Sequence, residues 1–153
     1  MKKLKLLSLF SLVMVASIVL VACGNVGKSQ VINFIVGYEN MSVKYSEAHD
    51  SLIIVRTLQE WSALSASRVF LSELNVKYNE SFFSENALIV YAFTSGNSPA
   101  QFEITKITRN GNELVMDATD NSGDIGVVSQ GIIILEVKIS DMQGANRLRV
   151  VLS

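Results

Sequence analysis

Ala87-Leu88-Ile89-Val90-Tyr91-Ala92-Phe93-Thr94 is an uncharged run of branched, aromatic and small residues, closed by Ser95-Gly96-Asn97-Ser98-Pro99. It is short for a helix, rich in strand-forming side chains, and ended by turn residues, so it predicts a strand, the strongest in the chain. Its neighbours follow the same rule. Phe102, Ile104 and Ile107 mark the next strand, and Leu114, Met116 and Ala118 lie on another. Asn110-Gly111 between them tolerates the positive φ angles of a type I′ hairpin turn. Asp120 to Gly126 reads as a polar loop, and Ile132 to Ile139 as a further apolar strand. Ser140-Asp141-Met142-Gln143 has capping-box spacing, Gly144 ends that turn, and Leu148, Val150 and Leu152 close the chain as an alternating strand.

Upstream, the period of two persists. Val31 to Val36 is apolar apart from Asn33. Glu39-Asn40 supplies a turn, after which Met41, Val43 and Tyr45 alternate with polar residues. Leu52-Ile53-Ile54-Val55 is a continuous apolar run, as in a strand buried on both faces. Thr57-Leu58-Gln59-Glu60 has the spacing of a capping box and predicts one short helix to about Ser67. Leu58, Trp61 and Leu64 share its apolar face, with Trp61 filling the core. Val69 to Val76 fits a helix or a strand, and Asn79 is placed to cap a short turn that buries Phe82 or Phe83. Strands at short intervals with one or two short helices predict a mainly β protein. The expected fold is a single β-sandwich or barrel-like domain over residues 31–153.

The first 22 residues stand outside that domain. Lys2, Lys3 and Lys5 form a positive segment, and Leu6 to Val21 is apolar except for Ser8, Ser11 and Ser17. That order is the mark of a secretory signal, and the apolar stretch is shorter than the ~20 residues a membrane span needs. Leu20-Val21-Ala22-Cys23 resembles the lipobox of bacterial lipoproteins. Leu20, Val21 and Ala22 are then the signal-peptidase recognition residues and Cys23 the lipidation site. The thiolate takes a diacylglyceryl group as a thioether, and the small Ala22 lets the peptidase reach the bond it cuts. Cys23 is the only cysteine, so lipidation leaves the mature domain without disulfide or thiol nucleophile. Two acyl chains satisfy the two-signal requirement for stable anchoring. Residues 23–30 read as the lipidated cysteine and a flexible tether. The expected location is the extracytoplasmic face of a cell membrane.

Removing the signal takes three lysines and no acid, leaving ten basic against fourteen acidic side chains, a formal −4. Nucleic acid is therefore not an expected partner, and attraction to anionic headgroups does not supply the anchoring. His49, the only histidine, stands next to Asp50, but a triad needs a third converging group and there is no G-x-S-x-G elbow. Zinc lacks its usual nitrogen and sulfur ligands. Asp117, Asp120 and Asp124 gather oxygen ligands near one loop, yet Ile125 and Gly131 stand where an EF-hand needs glycine and glutamate. Glu80 and Glu85 flank Phe82-Phe83 without a spacing diagnostic of glycoside hydrolysis. Ser95-Gly96-Asn97-Ser98 lacks the lysine of a phosphate loop. No catalytic residue, metal or cofactor is expected.

Tyr78-Asn79-Glu80-Ser81-Phe82-Phe83, followed by Asn86-Ala87-Leu88-Ile89-Val90 and Thr94-Ser95-Gly96, resembles the C-terminal domain of PrcB-type protease-complex subunits. The resemblance covers Leu52 to Ser153. Asn79 stands where that pattern has aspartate, and the loop around Asn121-Ser122-Gly123 lacks its proline. It implies an exported β-rich domain whose relative is a non-catalytic partner of a protease. Tyr78, Phe82 and Phe83 are the candidate partner-binding residues, since aromatics are enriched at binding hot spots. The alternative is that all three pack internally and lock the turn. The expected function is a membrane-anchored exported lipoprotein acting as a non-catalytic binding or accessory protein, with an exported protease as the partner. The competing class is a small cell-envelope enzyme or solute-binding lipoprotein.

Overall fold

A computed structural model describes residues 29–43, 51–95, 101–122, 126 and 128–153. The signal segment with Leu20, Val21, Ala22 and Cys23, most of the tether, Tyr45, His49, Asp50, the Gly96 to Pro99 break and Asp124 lie outside the described residues. No described helix is long and apolar enough to cross a membrane.

The domain is a β-sandwich. Strands β1 (Gln30–Ile32), β5 (Phe102–Asn110), β6 (Glu113–Asp120) and β8 (Arg147–Leu152) form one sheet in the order β1-β5-β6-β8. Strands β2 (Phe34–Val43), β7 (Ser129–Lys138), β4 (Asn86–Ser95) and β3 (Ser51–Val55) form the other in the order β2-β7-β4-β3. Every pairing is antiparallel except β6 with β8. Helix α1 (Leu58–Ser67), a 3-10 segment (Val69–Val76) and the short α2 (Glu80–Phe83) connect β3 to β4.

Two apolar layers hold these elements. Ile89, Phe93, Ile104, Ile107, Met116, Ile133 and Leu135 belong to the core between the sheets. Leu88, Val90, Ile132 and Ile134 sit in a second cluster with Trp61, Leu71, Tyr78 and Phe83, which the helical layer presses onto the second sheet. The alternation of a strand sends consecutive side chains to opposite faces, so β4 and β7 are apolar on both. This accounts for the uninterrupted runs at 87–93 and 132–135, where each face has its own core.

Local chemistry sets the helical layer. Thr57 caps α1: its Oγ accepts from Glu60 N at 3.2 Å, and the Glu60 carboxylate accepts from Thr57 N at 3.1 Å. Trp61 is buried, whereas Leu58 is exposed, so the apolar face runs through Trp61 and Leu64 and leaves Leu58 outside. The 69–76 segment, which fitted two readings, is a 3-10 helix. Asn79 caps α2, its Oδ1 accepting from Phe82 N at 3.1 Å.

Five expectations change. The 31–36 run is not one strand: the chain crosses between sheets at Asn33, with Ile32 buried in the core and Phe34 packed against it from the other sheet. Glu39-Asn40 is no turn, because β2 continues through it with register irregularities at Val36/Tyr38 and Asn40/Val43. Polar residues are tolerated there because β2 is an edge strand. β3 is likewise an edge strand, half-buried except at Val55. Its unbroken apolarity reflects Leu52 and Ile54 on the inter-sheet core and Ile53 and Val55 on the helical cluster. The hairpin forms, but Asn110 pairs with Glu113, so the loop residues are Gly111 and Asn112. Gly111 has φ +64° and no described non-glycine residue is positive, the glycine-first pattern of a type II′ turn. Nor does the 140–143 box form: Ile139–Met142 is a 3-10 turn without a side-chain cap. Arg109 takes its place, donating to the carbonyls of Asp141 at 3.0 Å and Gln143 at 3.2 Å.

Candidate functional site

The aromatic turn packs inward. Trp61, Tyr78, Phe82 and Phe83 form a chain of edge-to-face rings with centroids 4.9, 5.0 and 5.2 Å apart. Tyr78 is 0% exposed and Phe83 8% exposed, while Phe82 is half-buried. Trp61 Nε1 donates to Asn75 Oδ1 at 2.8 Å, which satisfies the one polar group of the indole. As contacts for a partner, Tyr78 and Phe83 are out of reach in this arrangement. Of the three proposed residues, only Phe82 keeps access to solvent.

Tyr78 also ties the helical layer to the second sheet. Its hydroxyl donates to Glu136 Oε1 at 3.1 Å, and Lys77 Nζ stands 2.7 Å from the same oxygen. Lys77 Nζ donates as well to the Gly37 carbonyl at 3.1 Å, at a register irregularity in β2. A Cβ at Gly37 would collide with the Glu136 carboxylate and the Tyr78 hydroxyl, so only glycine leaves room for this junction. Burial, the Glu136 charge and its hydrogen bond all push the Tyr78 phenol above its ordinary range.

The remaining candidate groups do not converge. Asp120 Oδ1 accepts from Ser122 N at 2.9 Å, an ordinary turn contact. No group of three metal-ligating side chains occurs among the described residues. Glu85 pairs with Lys138 at 3.1 Å on the surface, and Glu80 lies in the first turn of α2.

One cleft of the sandwich lies on the side where β2 faces β5. β1 is three residues long and pairs only with Ile107, Thr108 and Arg109. Among the described residues, positions 102–106 of β5 therefore have no strand on that side. Between this free edge and β2 lies a cleft of about 500 Å³. Ile133, Phe102 and Ile104 give it an apolar floor, Val36 and Met41 line the β2 wall, and Glu39 and Glu103 complete the lining. Glu39 pairs in register with Ile133, whose side chain lies in the inter-sheet core, so Glu39 is on the inner face of its strand. An acid on the inner face of an edge strand keeps the two sheets from closing over that edge. Among the described residues the arrangement offers a strand edge without a neighbouring strand, an apolar floor and negative charge together.

Sequence reasoning missed this side because its parts come from positions 36–41 and 101–104. The one local signal was Glu39, and together with Asn40 it read as a turn. No family model matches the chain, and no curated protein or solved structure is significantly similar to it.

Proposed function

We propose that this chain is an exported lipoprotein, held on the extracytoplasmic face of a membrane through acylated Cys23, that acts as a non-catalytic binding or accessory protein. The anchor rests on Leu20-Val21-Ala22-Cys23 and the charged and apolar segments before it. The observation that carries the binding role is the free β5 edge at 102–106 beside the acidic, apolar-floored cleft. An extended segment of a protein partner adds there as a strand. Main-chain hydrogen bonds give the affinity, and alternate side chains enter the cleft. Glu39 and Glu103 favour a segment with a lysine or arginine among apolar residues. The resemblance around Tyr78 to Phe83 makes an exported protease the first partner to look for.

The test is crosslinking in living cells. A photo-reactive residue at Lys106, which is exposed on the free edge, is introduced into the full chain, with a second at Leu58 on the helical layer as control. Recovery of one recurrent envelope protein from the Lys106 position and not from Leu58 supports the reading. Equal recovery from both positions, or none from Lys106, overturns strand addition at this edge. A Cys23→Ser chain that still carries its first 22 residues and shows no acyl mass is the expected companion result. An acylated fragment elsewhere, or wild type without lipid, removes the lipoprotein assignment.

A further inference from the structure

Nine large apolar side chains are exposed among the described residues, and three of them fall within six positions of the tether: Val31 at 58%, Ile35 at 68% and Val36 at 48%. Their directions are fixed by their neighbours. Ile32 is buried and Phe34 packs against the inter-sheet core, so Val31 points out of the first sheet and Ile35 out of the second. Val36 stands at the cleft wall on the rim between them. The three thus cover both outer faces and the edge of one corner of the sandwich, the corner where the tether enters.

We infer that this corner seats in the interfacial layer of the bilayer that holds the lipid anchor. The inference rests on the lipoprotein reading proposed above. Cys23 to Gln30 is eight residues, whose seven Cα–Cα steps reach at most about 25 Å when fully extended. A flexible chain of that length averages nearer 15 Å, little more than the ~10 Å between packed sheets. The corner is therefore held within about 25 Å of the acylated cysteine. The charges near it also fit. Arg109 Nη2 donates to Gln30 Oε1 at 2.9 Å, at the tether's end, and Lys77 donates to the carbonyl of Gly37, next to Val36. Arg109 flanks the apolar corner, Lys77 there is paired with Glu136 at 2.7 Å, and Glu39 and Glu103 lie farther along the same side. The formal −4 of the mature chain opposes adsorption on anionic lipid, so the patch works only at the high local concentration the tether gives.

The experiment uses the full chain, processed in a bacterial host and reconstituted into phosphatidylcholine vesicles with a minor share of phosphatidylglycerol. Lipidation consumes the only native thiol, so an introduced cysteine is the single labelling site. An environment-sensitive fluorophore is placed at Ile35→Cys, Val31→Cys or Leu152→Cys, the last on β8 at the opposite edge of the first sheet. The expected result is a blue-shifted emission at positions 31 and 35, quenched at least twofold by lipids with a headgroup-level nitroxide. Position 152 should show neither effect. Adding Ile35→Ser to the Val31→Cys protein should weaken the quenching. Like behaviour at 35 and 152 overturns the inference. So does a shift at 35 that grows with protein density and ignores the nitroxide, which assigns the corner to a second copy. The mass of the N-terminal fragment separates the two readings: no lipid on Cys23 defeats the lipoprotein proposal itself, whereas lipid present with indifferent probes defeats only the seating.

Discussion

The aromatic turn and the β2/β5 side contain similar materials: large apolar side chains, a glutamate and an edge of the second sheet. At the turn, the 3-10 segment and α2 close over these groups. Tyr78 reaches Glu136, Lys77 reaches both Glu136 and Gly37, and Trp61 is sealed beneath. At the β2/β5 side nothing among the described residues plays that part, because β1 ends after three residues and Glu39 stands on the inner face. Composition does not separate a core from a docking surface here. What separates them is whether the chain supplies a third layer and whether the acid has a partner within it.

If the sealed region is a second core, truncating its centre has the largest effect in the molecule. Trp61→Ala removes a fully buried indole and leaves Asn75 without its donor. The expected loss is about 3–5 kcal/mol, read as a lower midpoint in denaturant unfolding. An effect below about 1 kcal/mol would mean the helical layer is held loosely, and the contrast between the two sides would fail.

The sheet strands around Ala87–Thr94 and Ile132–Ile139, the hairpin and the capped helix were legible because each is specified by neighbouring residues. The two-face burial of β4 and β7 was not read, because the unbroken run at Leu52–Val55 gives the same signal from a half-buried edge strand. The crossing at Asn33 and the parallel pairing of β6 with β8 were not legible. Both depend on which distant segment lies alongside, and one asparagine or one alternating run fits several partners. Edge position was hidden too: β3 reads like a central strand because its two faces meet two different cores. The lipidation motif is legible for the opposite reason, since an enzyme reads Leu20 to Cys23 as a linear sequence. The cleft joins β2 to β5 across some sixty residues, and no local pattern records it.

The junction between the sealed layer and the sheet has a pH signature. Tyr78 is held protonated well above the usual range, while in the unfolded chain it ionises near pH 10. Below pH 10 both states keep the proton and the group contributes no pH dependence. Above it, the unfolded state gives up the proton while the folded state retains it, so stability falls as pH rises, by at most about 1.4 kcal/mol per pH unit. Tyr78→Phe should flatten this alkaline loss relative to wild type. At neutral pH the same change removes one hydrogen bond to Glu136, which keeps Lys77, for an expected cost of about 1–2 kcal/mol. Equal alkaline slopes in both proteins would show that the hydroxyl is reached by water and that the junction is open.

The smallest expected change in stability is the sharpest test of the open side. Glu39 is exposed, on an edge strand, and its carboxylate has no ion-pair partner among the described residues. Glu39→Lys should therefore leave the unfolding midpoint within about 0.5 kcal/mol of wild type, as for a surface change away from special features. Lysine still opposes closure of the two sheets, because it too places a charge on the inner face. What it reverses is the sign of the potential at the cleft lining, where Glu103 alone then faces a cationic segment. Crosslinking from Lys106 to the envelope partner should fall at least tenfold, more steeply at low salt than at high salt. Glu39→Gln, which removes charge without reversing it, should fall between. Undiminished crosslinking in Glu39→Lys would show that the partner does not read the cleft's charge, and a large loss of stability would show that Glu39 belongs to the fold rather than to its open edge.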